Sequence, residues 1–250
     1  MAHQAELVYD RIGVSYGERR RPDPYIAAQL NAALGDAATI VNVGAGAGSY
    51  EPTDRRVVAV EPSEVMLAQR PASAAPAVRA IAEALPFPDR SFDAAMAILT
   101  VHHWAEAGRG LAELRRVARR IVIMSTLAER INQLWLTAEY FPGSARARSP
   151  DLQPDKIAAA LGGSVRIVPL LVPRDCTDGF GEAYWARPEA YLDPGVRAGM
   201  SACSLLEPGE VEAGVARLRA DLASGRWDER HGHLRDLPHL DTGHRLIIAA

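Results

Sequence analysis

Three glycines at alternate positions, Gly44, Gly46 and Gly48, stand directly behind a short apolar run, Ile40, Val41 and Val43. The run is β-branched and bounded, which predicts a buried strand. Glycines in this alternation let the backbone turn sharply and bring main-chain N–H groups against a ligand. In an open α/β sheet, ligands bind at the carboxyl edge of the strands, where strand order reverses. The spacing G-x-G-x-G is neither the G-x-G-x-x-G of a dinucleotide fold nor a phosphate loop ending in Gly-Lys-Ser/Thr. Lys156, the only lysine, is far from the loop in sequence. A second predicted strand, residues 57–60, ends in Glu61, and a carboxylate there can accept hydrogen bonds from both hydroxyls of a ribose. The expected ligand is a nucleoside that needs no phosphate-neutralising cation.

Residues 41–50, residues 58–69 and the stretch A-E-A-L-P-F-P-D-R-S-F-D at 82–93 follow one another at workable spacing. In these motifs the chain resembles the class I S-adenosylmethionine-dependent methyltransferases. The match is to the small-molecule group of the type 11 methyltransferase domain, which includes the ubiquinone and menaquinone C-methyltransferases. It spans residues 8–124. The resemblance implies a Rossmann-like α/β fold of seven mostly parallel strands. It also implies S-adenosylmethionine as cofactor and S-adenosylhomocysteine as product. The implied cofactor contacts are Asn42, Gly44, Ala45, Gly46 and Gly48 in the loop, then Glu61, Pro62, Ser63 and Met66 after the second strand. Ala82 and Glu83 would read the adenine, and Leu99 and Thr100 would meet the methionine half. In related enzymes an N-terminal Tyr…Tyr…Arg segment folds over the cofactor carboxylate, which here assigns Tyr16 and Arg20 to a lid formed by residues 1–24. That stretch reads equally as a solvated basic leader, Met66 as simple core and Glu83 as a solvated loop charge.

Three departures from the family pattern stand out. Asn42 and Ile81 occupy positions where the family has Asp, so the first gives up a charge while gaining a donor. Only residues 49–56 separate the loop from the next strand, with Pro52 among them. The usual first helix is therefore expected to shrink to a turn or two, since a parallel crossover generally needs a dozen or more residues.

A chain of 250 residues with 48% hydrophobic and 24% charged residues fits a single soluble domain, residues 1–250, with a substantial core. The net charge of −3 gives no basic footprint for nucleic acid, and no N/D-P-P-Y/F motif of a base methylase is present. No signal peptide or membrane-length apolar run is evident. Cys176 and Cys203 are too few and too far apart for a disulfide scaffold or zinc site. These features lead to the expectation of a cytoplasmic enzyme, a monomer or homodimer, acting on a small-molecule acceptor without metal, nucleic acid or membrane partners.

Along the chain, Pro24 opens a helix with Ile26, Leu30 and Leu34 at helical spacing, and Ser63 reads as the N-cap of a short helix over 64–70. Further strands are expected at 78–81, 94–99, 121–124, 164–172 and 245–250. In this fold the last inserts antiparallel between the fifth and sixth. Helices are expected at 105–119, 131–140, 151–163 and 210–224. Asp93, at the strand end remote from the glycines, reads as a structural cap. His102 and His103 emerge beside the loop and are the general-base candidates by position, His103 first; the alternative is that one only orients the next helix. Residues 127–150 and 175–233 are read as insertions that form a cap. They supply Trp135, Tyr140, Asp178, Tyr184 and Trp185 as candidate acceptor contacts. His231 and His233 join them, with polar packing as the other reading; an extended backbone would set both imidazoles on one side, but with no third ligand metal binding is not expected. Two other readings stay open: a protein of the same fold that binds S-adenosylmethionine in a regulatory or non-methylating role, and an NAD(P)-dependent oxidoreductase. The loop spacing, the Pro-Phe-Pro-Asp corner and the lack of a Tyr-x-x-x-Lys argue against the oxidoreductase.

Overall fold

In a computed structural model, which describes residues 21–200, 203 and 206–250, the strand preceding the glycines is β1 (Thr39–Val43). It lies inside a seven-stranded sheet completed by β2 (Arg56–Val60), β3 (Ala77–Val78), β4 (Phe92–Ile98), β5 (Ala118–Thr126), β6 (Val165–Pro169) and β7 (His244–Ala249). The spatial order is β3-β2-β1-β4-β5-β7-β6. Neighbours are parallel except that β7 runs antiparallel to both β5 and β6. The chain winds outward from β1 to β3 and then returns to β4 on the other side of β1, so strand order reverses between β1 and β4. The glycines sit at that reversal.

Both faces of the sheet are covered, which is why its central strands are apolar without alternation. On one face α1 (Pro24–Leu34) lays Ile26, Leu30 and Leu34 against Ile40, Met96, Val122 and Leu246. Asp23 fixes the start of this helix by accepting the N–H groups of Tyr25 and Ile26, a cap worth about 1 kcal/mol. On the other face α3 (Ala107–Val117) and α5 (Pro154–Leu161) bury Leu111, Leu114, Val117, Ile157 and Leu161 against Val41, Ala95, Ile121, Ile123 and Ile247. Each such side chain contributes roughly 1.5–3 kcal/mol of burial.

A third core lies off the sheet. It is built from residues 135–141, which follow α4 (Ala128–Gln133), with α6 (Pro194–Ala198), α7 (Pro208–Ala223), α8 (Arg226–His231) and the turns between them. Trp135 is its hub, meeting Tyr140, Tyr191 and Trp227 edge-on at centroid distances of 5.7, 5.6 and 5.2 Å. The second part of this cap leaves and returns through a two-residue ladder, Val172–Pro173 against His239–Leu240. No helix of the described residues is long and apolar enough to cross a membrane.

Several boundaries differ from the sequence expectation. The third strand is Ala77–Val78 rather than 78–81. The expected helix 131–140 is two elements, α4 and a π-turn over Leu136–Tyr140. The break turns Trp135 inward, where its indole N–H donates to the Trp185 carbonyl at 3.0 Å. The expected strand 164–172 stops at Pro169, which has no N–H to continue a ladder. His231-Gly232-His233 is helical, not extended: α8 runs directly into a 3₁₀ turn over Gly232–Asp236.

Candidate active site

Between Gly44 and Arg55 the chain forms turns and bends but no helix. Gly44, Gly46 and Gly48 have φ of +70°, +52° and +96°, a region open to glycine at little cost. Gly44 is doubly constrained, because a Cβ there would come within 2.0 Å of Thr100 Oγ1. The loop from β1 and the end of β4 therefore touch with nothing between them. Gly44 and Ala45 donate their N–H groups to the Val60 carbonyl at 2.8 and 3.0 Å, fastening the loop to the end of β2.

Glu61 follows at once. Its Oε2 accepts the Gly46 N–H at 2.8 Å and its Oε1 the Ser63 N–H at 2.9 Å. Ser63 Oγ in turn accepts the N–H of Met66, opening α2 (Glu64–Ala68). Burial raises the Glu61 carboxyl above its ordinary value of 4.5, against the lowering effect of the two backbone donors and Arg70. Met66 is buried, with its methyl 3.2 Å from where a Gly46 Cβ would be. Pro62 is exposed.

Behind the loop lies a buried ion pair that sequence reading missed. Arg70 donates to both oxygens of Glu51 at 2.8 Å, and each side chain is only 6% exposed. Asn42 Nδ2 donates to Glu51 Oε1 at 3.1 Å, while Asn42 Oδ1 is buried with no hydrogen-bond partner among the described residues. To the side, Tyr50 (φ +63°) donates its hydroxyl to Asp178 Oδ2 at 2.8 Å and accepts the Asp23 N–H at 3.3 Å. Asp23 Oδ2 also accepts from the Thr177 backbone at 3.0 Å.

The opposite wall begins with Leu99, at φ +52°, a sparsely populated conformation for a branched residue. Its N–H is held by the Met124 carbonyl at 2.9 Å. Thr100 is buried and leads into the 3₁₀ turn Val101–His103. The His102 and His103 rings lie 3.8 Å apart. Surrounding protein pushes His102 down to about 4, although its side chain reaches solvent. Burial and the neighbouring His102 push His103 down to about 3. His103 is therefore neutral at physiological pH and weak as a proton acceptor. A general base works best near the operating pH, so this ring suits orienting an acceptor by hydrogen bonding better than deprotonating it.

Other predicted residues take structural positions. Glu83 is buried and its Oε1 accepts the Glu106 N–H at 3.0 Å, so its carboxylate anchors the entry to α3. Ala82 is buried and Ile81 is 50% exposed. Asp93 accepts from the Thr39 hydroxyl and the backbone of Ala38 and Thr39, the capping role expected of it. Among the acceptor candidates, Trp135 and Tyr140 fill the cap core, the tyrosine donating to Asp221 at 2.9 Å. Trp185 is buried under the sheet with its N–H on the Val172 carbonyl. Asp178 is buried against Tyr50. These four are packing or bracing groups, because the cap needed a core of its own. His231 pairs with Glu139 at 2.7 Å and His233 is exposed on the 3₁₀ turn that follows. Tyr184 is half-buried, edge-on to Tyr191 with Arg187 over its ring. Tyr16 and Arg20 lie outside the described residues.

One cluster at the same sheet edge was not anticipated. His244 opposes Thr126 at the end of β5; its Nδ1 meets Thr242 Oγ1 at 2.9 Å and its Nε2 lies 3.8 Å from Glu182, which also pairs with Arg148 at 3.5 Å. The partners are distant in sequence and carry no motif.

Comparison with known proteins bears on what this edge does. The family described as a methyltransferase domain matches residues 41–123. A solved structure from Anabaena variabilis, described as a methyltransferase from an antibiotic biosynthesis pathway, is 32% identical over 93% of this chain and 99% of its own, with a TM-score of 0.83. Two more distant structures share the fold. One is a SAM-dependent methyltransferase of Thermotoga maritima (19% identity, 69% of this chain, 85% of its own, TM-score 0.52). The other is described as a type II methyltransferase of Anaeromyxobacter dehalogenans (19% identity, 92% of this chain, 94% of its own, TM-score 0.53). Comparison with curated proteins gave no match.

Proposed function

The chain belongs to the class I S-adenosylmethionine-dependent methyltransferases, and on that footing we propose that it methylates a small organic acceptor in the making of a secondary metabolite. The observation that carries this reading is the full-length likeness to the antibiotic-pathway methyltransferase. It extends beyond the nucleoside-binding half to residues 175–233, which we read as the acceptor-side part of the chain.

The residues present suit the cofactor. A carboxylate has about four lone-pair sites, and Glu61 uses one on each oxygen for Gly46 and Ser63. One site per oxygen is left, matching the two vicinal hydroxyls of a ribose. Those donors would also relieve the burial that raises its pKa. Asn42 Oδ1 is an acceptor awaiting a donor, and the methionine half would lie along the loop beside it. Ala82 and the backbone of Glu83 stand where adenine would end, with Met66 beneath the loop.

When bound, S-adenosylmethionine supplies an already activated methyl group on a sulfonium. The work left to the chain is to hold donor and acceptor in line and to exclude water. Leu99 and Thr100 fix the wall behind the reacting centre, His103 orients the acceptor as a neutral imidazole, and the cap closes the other side.

Calorimetric titration with S-adenosylhomocysteine and, separately, NAD tests this. S-adenosylhomocysteine alone should bind, at micromolar affinity or better. Glu61→Ala should weaken it about tenfold or more, the loss expected for hydrogen bonds to a charged acceptor. Preferential binding of NAD, or an unchanged dissociation constant in Glu61→Ala, would overturn the assignment.

A further inference from the structure

We propose that Asn42, Glu51 and Arg70 form a positioning unit that braces the glycine loop in place of a helix and, as long as residue 51 carries the carboxylate, requires a neutral carboxamide at residue 42 for cofactor binding. The inference rests on reading the loop as the S-adenosylmethionine site.

The loop has no helix behind it, so its carbonyls and turns need another support. Arg70, just beyond α2, supplies one. Its Nη1 donates to the Gly46 carbonyl at 3.2 Å, and its Nη2 to the Ala75 carbonyl at 2.9 Å and to both Glu51 oxygens. Glu51 Oε2 also accepts the Ala75 N–H at 3.1 Å. A planar guanidinium can hold this many acceptors at fixed angles, which an ammonium cannot. The loop, the chain after α2 and the end of β1 are thereby joined through one buried pair.

Residue 42 is drawn into the same unit. Only the NH2 group of Asn42 can face Glu51 Oε1, so the carboxylate sets the amide's orientation and turns Oδ1 to the other side. That oxygen belongs to a side chain 2% exposed and has no partner among the described residues. It is thus presented as a neutral acceptor for a donor such as the cofactor's ammonium group. A carboxylate at residue 42 would instead meet Glu51 as a like charge in a buried setting, with the single Arg70 charge to serve both. The negative charge sits at residue 51, already neutralised, and residue 42 carries none.

The charges can be exchanged. In the double variant Asn42→Asp/Glu51→Gln, the amide introduced at residue 51 would donate an N–H to the carboxylate introduced at residue 42. The amide oxygen, at the Oε2 position, would keep the Ala75 N–H and one of the two Arg70 bonds, the bond at the Oε1 position being given up. The experiment combines thermal unfolding of the ligand-free protein with calorimetric titration of S-adenosylhomocysteine. Asn42→Asp should lower Tm and weaken binding by about tenfold or more, as an uncompensated buried charge does. The double variant should recover both, its affinity returning to within about threefold of wild type, the non-additivity expected of contacting residues. Arg70→Lys, which keeps the charge and loses the fork, should weaken binding by about fivefold or more. If Asn42→Asp fails to fold while the double variant folds, the charge conflict is equally supported. An Asn42→Asp protein with wild-type Tm and affinity would overturn the proposal, as would a double variant no better than the single. Failure of the wild-type protein to bind at all would instead overturn the cofactor reading beneath it.

Discussion

At the scale of the residue, the histidine pair gives a consequence that acid can test. The folded protein holds His103 at about 3, whereas the ordinary value is 6.5. The unfolded chain therefore takes up the proton first, and acid favours unfolding. This contribution to stability is intact above about pH 6.5 and is withdrawn as the pH falls towards 3. His103→Gln should accordingly show a flatter fall of Tm between about pH 6.5 and 4.5 than the wild type. Parallel profiles would mean that the ring is ordinarily basic and would return it to the general-base role. Position made His103 legible as a site residue, while its basicity was not, because desolvation depends on what surrounds the ring. The same contrast runs through the loop. Gly44, Gly46 and Glu61 announce themselves by type and spacing, whereas Glu51 and Arg70 are an ordinary acid and an ordinary arginine until folding buries them together.

At the scale of the element, the strands were readable because β-branched runs covered on both faces have no competing pattern. Length was harder to read. Pro169 ends β6 early, and the apolar periodicity of 131–140 conceals a break that exists to bring Trp135 onto a carbonyl fifty residues away. Helix α7 shows how closely the cap is fitted. A Cβ at Gly214 would stand 2.4 Å from the Tyr140 carbonyl and 2.6 Å from the Phe141 ring. Alanine normally favours a helix interior by about 1 kcal/mol over glycine, yet overpacking costs about 1–3 kcal/mol. Gly214→Ala should therefore lower Tm by a few degrees while leaving affinity for S-adenosylhomocysteine unchanged, since the cofactor loop is braced elsewhere. A rise in Tm would show that the π-turn carrying Tyr140 yields easily.

At the scale of the whole molecule, the sheet order came through resemblance rather than through any local pattern, because no stretch of sequence states which strand lies beside which. The link between the two halves was also beyond local reading: Tyr50 and Asp178 are 128 residues apart. That bond joins the cofactor loop to the chain just after the Val172–Pro173 ladder. Tyr50→Phe removes a donor from a buried carboxylate, a loss of about 1–3 kcal/mol. It should weaken S-adenosylhomocysteine binding as well as lower Tm. An unchanged affinity, measured by calorimetry, would show the two halves to be independent.

The ladder of Val172–Pro173 against His239–Leu240 bears on the protein's history. A stretch that departs and re-enters between neighbouring residues can be lengthened, shortened or exchanged while the sheet keeps its register, since closure costs grow only logarithmically with length. The nucleoside half can stay under separate, slower selection. A chimera cut at the ladder inherits the host's cross-contacts with the graft: an acidic partner for Tyr50, a carbonyl for the Trp135 indole, and partners for Glu139, Tyr140 and Arg148.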